Sequence, residues 1–426
     1  MAQISEESFL SDDLLRQLIS VGDVDLLVGI PSQAHNDNVA SIVRIVEECL
    51  LRNFGRERVA LIHVNESARN GSDPSTPPSS SLASDSTVES LRTFRWINAK
   101  TDSAAPPGST LRTILLAADL LHAKGCAVID ASAESANPAW VEGLLAPIYR
   151  EQFDFVSPLY SRHKFDGLLT RNLLYPLCRT LYGKPMRELR ATEFAFSGRL
   201  AAHCLAQGNW ELEGLQASAE MWMAVNAISN DFRCCQTYLG PKPRAGSSAG
   251  VVDAIRQTVN GLFWCMESTS SYWLKGVEAQ PLRTIGPDHQ LTSEPIRVNR
   301  KKLFQMYASG VAELSQILGT ILGSETHQEL VRLTTLDETA FRMSDALWVR
   351  TVYEFAAAYH RSVINRDHLV QAFIPIYRGR VCSFLLQHRT SDSTGMETDL
   401  EVLYREFERQ KNSFIERWNT KGQGAS

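Results

Sequence analysis

CAVIDASAESANPAWVEGLL (126–145) decides the fold. Its opening apolar run is short, as in a strand buried on both faces, and it delivers Asp130 to its end. Asn137-Pro138 then breaks the chain and a helix follows. A buried strand with a carboxylate at its mouth and a helix behind it is the repeating unit of an α/β sheet, whose ligands sit beyond the carboxyl ends of the strands.

Working outward, similar β-like runs bounded by turn residues occur at LLVGI (26–30), VALIHV (59–64), TFRWINA (93–99), FDFVSPLY (153–160), EFAFSG (193–198) and RCCQTYLG (233–240). Helical stripes lie between them. Val39, Ile42, Val43, Val46, Cys49 and Leu50 form one, and Leu111, Ile114, Leu115, Ala118 and Leu121 another. The alternation predicts a mainly parallel sheet covered on both faces, over residues 1–245. Residues 68–88, rich in Ser, Pro, Thr and Gly, read as a mobile surface loop inside this part.

After about residue 250 the strand signal fades. Leu303, Phe304, Tyr307, Val311, Leu314 and Leu318 predict one helix; Trp348, Val352, Phe355 and Tyr359 a second; Leu400, Leu403, Tyr404, Phe407, Phe414 and Trp418 a third at the C-terminal end. Residues 246–426 are therefore expected to be all-helical, with TIGPDHQLTSEP (284–295) as a connecting loop.

Charge and composition exclude several classes. The 43 Lys plus Arg against 48 Asp plus Glu give a net charge of −5, which offers no global footprint for nucleic acid or an anionic membrane. There is no signal-peptide pattern in MAQISEESFLSDDLL and no uncharged apolar run long enough for a bilayer, so a cytoplasmic protein is expected. The eight cysteines show no C-x-x-C pair and read as reduced, mostly buried residues, with Cys234 and Cys235 facing opposite sides of a strand. No G-x-G-x-x-G and no G-x-x-x-x-G-K-[ST] occurs, which leaves the common dinucleotide and P-loop classes without support. His360, His368 and His388 include no i, i+4 pair and read as packed or surface histidines.

Three places carry candidate chemistry. In VGIPSQAHNDN the first strand ends at Pro31 and Ser32, and Asn36 or Asp37 can cap the next helix. Asp130 is suited to a divalent cation that neutralises a diphosphate. LYGKPMRELRATEFAFSG brings Lys184, Arg187 and Arg190 before Glu193 at the mouth of another strand, a setting for sugar hydroxyls and an acidic acceptor.

At these residues the sequence resembles the GT-A nucleotide-sugar glycosyltransferases of the mannosylglycerate, glucosylglycerate and glucosyl-3-phosphoglycerate synthase type. The likeness rests on the V-G-I-P strand end, DAS (130–132) in place of a D-x-D, NLLYPLCRTLYGKPMRELRATEFAFSG (172–198), EMWMAVNAISNDFRCCQTYLGPK (220–242), DALWVRTVYEFAAAYH and RDHLVQAFIPIYRGRVCSFLLQ. It implies a Rossmann-like GT-A domain followed by a helical domain. The implied reaction is retaining transfer of a hexose from a nucleoside diphosphate sugar to glycerate, 3-phosphoglycerate or a similar small acid. Pro31 and Ser32 would flank the base or ribose, Asp130 would hold Mg2+ or Mn2+, Glu193 the donor sugar, and Glu220 would stand near the acceptor. Arg162, Lys164, Arg187 and Arg190 are acceptor candidates by charge. The resemblance also implies a homodimer.

Four donor-side features depart from the family pattern. Ser132 replaces a second Asp, Pro243 or Arg244 stands where a metal-binding His belongs, PPGSTLR (106–112) lacks a lysine, and Ala191-Thr192 replaces a glycine pair. Glu134 could complete the metal site, or Arg244 could neutralise the diphosphate directly. The alternative expectation is a non-catalytic protein of the same fold that binds a sugar nucleotide, a metabolite or a protein partner.

Overall fold

The computed structural model describes residues 9–33, 38–66, 94–101, 108–133, 136–207, 210, 212, 215, 218–241, 251–287 and 298–420. The chain forms two compact units. The first comprises Met1–Ser161, Arg190–Ala245 and Leu282–Gln290; the second comprises Arg162–Leu189, Gly246–Pro281 and Leu291–Ser426. The sequence suggested one division after residue 245. In the structure residues 162–189 belong with the helical unit and 282–290 with the sheet.

The first unit is built on an eight-stranded sheet in the order β3-β2-β1-β4-β6-β5-β7-β8. The strands are β1 (Leu26–Gln33), β2 (Val59–Glu66), β3 (Phe94–Thr101), β4 (Gly125–Val128), β5 (Phe155–Ser161), β6 (Phe194–Ser197), β7 (Cys234–Pro241) and β8 (Arg283–Ile285). All pairings are parallel except those of β6, which runs antiparallel to both β4 and β5. Seven of these strands lie where the apolar runs predict them. The eighth falls in the stretch expected to be a connecting loop: three residues, largely exposed, that pair with Cys235–Thr237.

Helices α1 (Asp12–Val21), α2 (Val39–Asn53), α3 (Ser109–Leu120), α4 (Pro138–Glu151), α6 (Gly198–Ala206) and α7 (Ala219–Ser229) belong to this unit, whereas α5 (Tyr175–Tyr182) belongs to the other. Because side chains alternate along a strand, β1 serves both faces. Leu26, Val28 and Ile30 join a core with Ile42, Val46 and Leu50 of α2 and Trp140, Val141 and Leu144 of α4. Gly29 faces the other way, where an added Cβ would stand 2.8 Å from Ile114 of α3. Asn137 caps α4 by accepting from the amide of Ala139, with Pro138 in the first turn, as the sequence predicts.

The second unit is helical: a π turn at Thr170–Leu174, then α5 (Tyr175–Tyr182), α8 (Val251–Ser268), α9 (Ser270–Trp273), α10 (Arg300–Glu313), α11 (Ser315–Ile321), α12 (Ser324–Thr334), α13 (Asp345–His360), α14 (Arg366–Gln387) and α15 (Ser393–Asn419). The single helix expected over Leu303–Leu318 is two, divided at Leu314. Ser344, Asn365 and Asp392 cap α13, α14 and α15 through their side chains, which fixes where each begins. The aromatic stripe of α13 is core, with Tyr353 stacked on Phe414 of α15 at 4.3 Å between ring centroids. Helix α14 is, among the described residues, the one helix long and apolar enough to cross a membrane, yet 78% of its most apolar window is buried inside the protein. It also carries a buried cation, Arg380, bonded to Asn172 at 2.9 Å and paired with Asp345 at 2.8 Å.

Candidate functional site at the carboxyl edge of the sheet

Strand order reverses between β1 and β4: β1 continues to β2 on one side, whereas the chain returns to β4 on the other. In open α/β sheets ligands sit in the crevice beyond the carboxyl ends of the strands at such a point; here α2 and α4, which follow the two strands, pack into one core on the same face of the sheet. Pro31 and Ser32 occupy the end of β1, and Asp130 stands two residues past β4. The two ends are joined by the amide of Ala131 donating to the carbonyl of Pro31 at 2.9 Å, and Asn38, which precedes α2, donates its side-chain amide to the carbonyl of Ala131 at 3.0 Å. Ser32 is buried and lies 2.8 Å from Nε2 of His63 on β2. Asp130 is half-buried; its Oδ1 accepts from the amide of Ser132 at 2.7 Å and from the Ser132 hydroxyl at 2.5 Å.

Because β6 runs backwards, its beginning lies at the same edge as the end of β4. This places Glu193, the residue before β6, beside the crevice. Its carboxylate is 2% exposed and accepts from the hydroxyls of Tyr160, at the end of β5, and Thr192, the latter at 2.8 Å. Trp140, in the first turn of α4, packs against Tyr160 with ring centroids 5.6 Å apart. Hydrogen-bond donors on a carboxylate that has left water help to keep it tolerable there. Glu220 is half-buried in the first turn of α7, where the amides of the helix start favour a negative charge. Arg190, three residues before Glu193, is half-buried, and its Nε has no hydrogen-bond partner among the described residues.

The other three cations assigned by charge lie in the helical unit and are engaged there. Arg162 makes a two-pronged bond to buried Glu188, at 2.9 Å on each prong. Lys164 donates to the carbonyls of His388 and Ser391, at 3.1 and 2.7 Å, and so closes the turn between α14 and α15. Arg187 meets Glu397 at 3.4 Å and lies over the ring of Tyr175. His63 and Tyr160 are the residues that sequence reasoning missed at the crevice. Each had a signal: a polar residue near the end of an apolar strand run.

The expected metal ligands can be tested against this geometry. Glu134, Pro243 and Arg244 lie outside the described residues, as do Asn36, Asp37 and the stretch 68–88. Among the described residues no three His, Cys, Asp or Glu side chains gather as a metal ion requires. Of the expected ligands they include one carboxylate, Asp130, with one oxygen already accepting two bonds from Ser132. That set does not fit a divalent cation.

No family model and no curated protein sequence matches the chain. Among solved structures, it is similar to glucosyl-3-phosphoglycerate synthase from Mycobacterium tuberculosis in complex with Mn2+, UDP-glucose and phosphoglyceric acid. The identity is 15%, with 62% of this chain and 85% of that one covered and a TM-score of 0.39. It is also similar to mannosyl-3-phosphoglycerate synthase from Rubrobacter xylanophilus, at 16% identity over 63% of this chain and 81% of that one, with a TM-score of 0.39.

Proposed function

We propose that the chain is a glycosyltransferase that moves a hexose from a nucleoside diphosphate sugar to a small acid such as glycerate or 3-phosphoglycerate, with retention at the anomeric carbon. What supports this reading is that Ser32, Asp130 and Glu193 all stand at the carboxyl edge of the sheet, at the end of β1, just past β4 and just before the reversed β6. Pro31 and Ser32 would line the base or ribose, with His63 holding the Ser32 hydroxyl. Asp130 would face the pyrophosphate side, and buried Glu193, fixed by Tyr160 and Thr192, would accept from sugar hydroxyls. Glu220 would stand on the acceptor side. Of the four cations, Arg190 belongs to the same unit as Glu193 and is the one we assign to the acceptor's negative charge.

The test is direct. The purified chain is incubated with a panel of nucleoside diphosphate sugars, with and without glycerate or 3-phosphoglycerate, and products are followed by mass spectrometry and by proton NMR of the anomeric signal. One donor should be consumed in an acceptor-dependent way, giving a glycoside of retained configuration. Consumption of none, together with no nucleotide binding, removes the proposal.

A second reading, binding without turnover, is favoured by the grip of Ser132 on Asp130. It would show as saturable nucleotide-sugar binding with no product.

A further inference from the structure

A cleft of about 970 Å³ opens in the sheet unit at the opposite edge from the crevice. It is lined by residues just before β4, β5 and β7 and just after β6, which places it at the amino ends of the parallel strands. Lys124 and Asp130 bracket β4 six residues apart, so the two edges are separated by roughly 20 Å at about 3.3 Å per residue. The volume lies in the range of small-ligand sites, roughly 300–1,000 Å³.

The floor is Asp154, 3% exposed. Its Oδ1 accepts from Ser197 Oγ at 2.8 Å and Arg199 Nε at 3.2 Å; its Oδ2 accepts from Arg199 Nη2 at 2.6 Å and the amide of Arg233 at 3.0 Å. A carboxylate with four bonds has no acceptor capacity left for a ligand. Two amides in the first turn of α6 are engaged too: that of Gly198 donates to the carbonyl of Lys124 and that of Leu200 to Ser197 Oγ. What remains is a surplus of donors on three cations that come from three separate segments. Arg199 spends Nε and one N–H of Nη2 on Asp154. Arg233 spends Nη1 on the carbonyls of Glu151 and Gln152, at 3.2 and 3.1 Å, while its guanidinium lies over Phe153. Lys124 contacts Asp25 at 2.8 Å. Each retains two or three N–H groups, by the valence of its head group, with no protein partner among the described residues. Asp119, which also lines the cleft, is exposed and opposes an anion.

We propose that this cleft is a second binding site, distinct from the crevice, for a small phosphorylated molecule whose phosphate oxygens bridge Lys124, Arg199 and Arg233. A tetrahedral anion with several acceptor oxygens suits donors that approach from three segments, and guanidinium forks bind phosphate in two-pronged fashion.

The probe is inorganic phosphate, titrated into the full chain and read by isothermal calorimetry, with circular dichroism as the check on folding. Arg199 is left in place, because its loss would strand buried Asp154. Wild type should take up phosphate saturably. Lys124→Gln and Arg233→Gln should each weaken uptake about ten-fold, Asp119→Asn should tighten it, and Asp130→Asn should leave it unchanged. Arg233→Lys, which keeps the charge, guards against a folding artefact and should retain intermediate affinity. Absence of saturable uptake by the wild type overturns the proposal. So does uptake indifferent to Lys124→Gln and Arg233→Gln, or tightened by Asp130→Asn, since either places the anion elsewhere.

Discussion

The hydroxyl of Tyr160 donates to the carboxylate of Glu193, tying the end of β5 to the start of β6 at the carboxyl edge of the sheet. Glu193 is buried, and this bond helps to satisfy its carboxylate there. Tyr160→Phe should therefore lower unfolding stability by about 1–3 kcal/mol, the usual cost of stripping a partner from a buried polar group. Urea midpoints compared with wild type measure it. Glu193→Gln keeps the shape but loses the charge; if Glu193 holds the donor sugar, kcat/KM should drop on the order of 100-fold with the fold intact. Unchanged turnover would remove that role.

Asp154 and Arg199 give a second expectation, at the other edge. Asp154→Asn removes the charge that holds a guanidinium, a serine hydroxyl and a backbone amide together across β5, β6 and β7. The Arg199 side chain is 70% exposed, which screens part of the ion pair, so a loss of about 2 kcal/mol is expected. Chemical denaturation at neutral pH should show a lower midpoint with an unchanged slope.

Stability should also depend on pH through His388. Burial, to 2% exposure, pushes its imidazole below the ordinary value of about 6.5; Arg380 and Lys164 push the same way, while Asp399, 3.5 Å away, and Asp345 oppose them. The folded state then binds the proton less readily than the unfolded chain. The contribution is complete above about pH 6.5 and is lost as pH falls through the lowered folded value. Thermal melts at pH 7, 6 and 5 should show a decline that His388→Gln flattens. An equal decline in both proteins would assign the effect to other groups.

Ser132 offers a test of the missing metal ligand. In the wild type, nucleotide binding should change less than about three-fold on adding a chelator. Ser132→Asp, which supplies a second hard oxygen donor, should make binding respond to Mn2+ by about ten-fold. Calorimetry with and without chelator decides both. Strong chelator sensitivity in the wild type would point to Glu134.

The sheet was legible because its strands are compact apolar runs broken by turn residues, so seven could be placed to within a few residues. Arg283–Ile285 was not, because a three-residue, exposed strand acquires its pairing entirely from β7. The break at Leu314 is similar: an unbroken apolar stripe does not reveal where two helices part. At the site, Asp130 and Glu193 were legible as strand-end carboxylates. Arg162, Lys164 and Arg187 were chosen by charge alone, and a positive charge reads the same in sequence whether it awaits a ligand or already holds Glu188, two backbone carbonyls or Glu397. Asp154 went unnoticed within FDFVSPLY because its bonds come from residues more than forty positions away.

The reversed strand β6 is only four residues long, yet Glu193 precedes it and Arg199 follows close behind. It works as a ruler with a functional group clamped at each end. Since facing alternates every residue, inserting or deleting one position within Phe194–Ser197 would turn one end inside out and pull the other off its partner. Neither terminus of that ruler can be re-registered alone, so the spacing between Glu193 and Arg199 is expected to tolerate substitution but not a change in length.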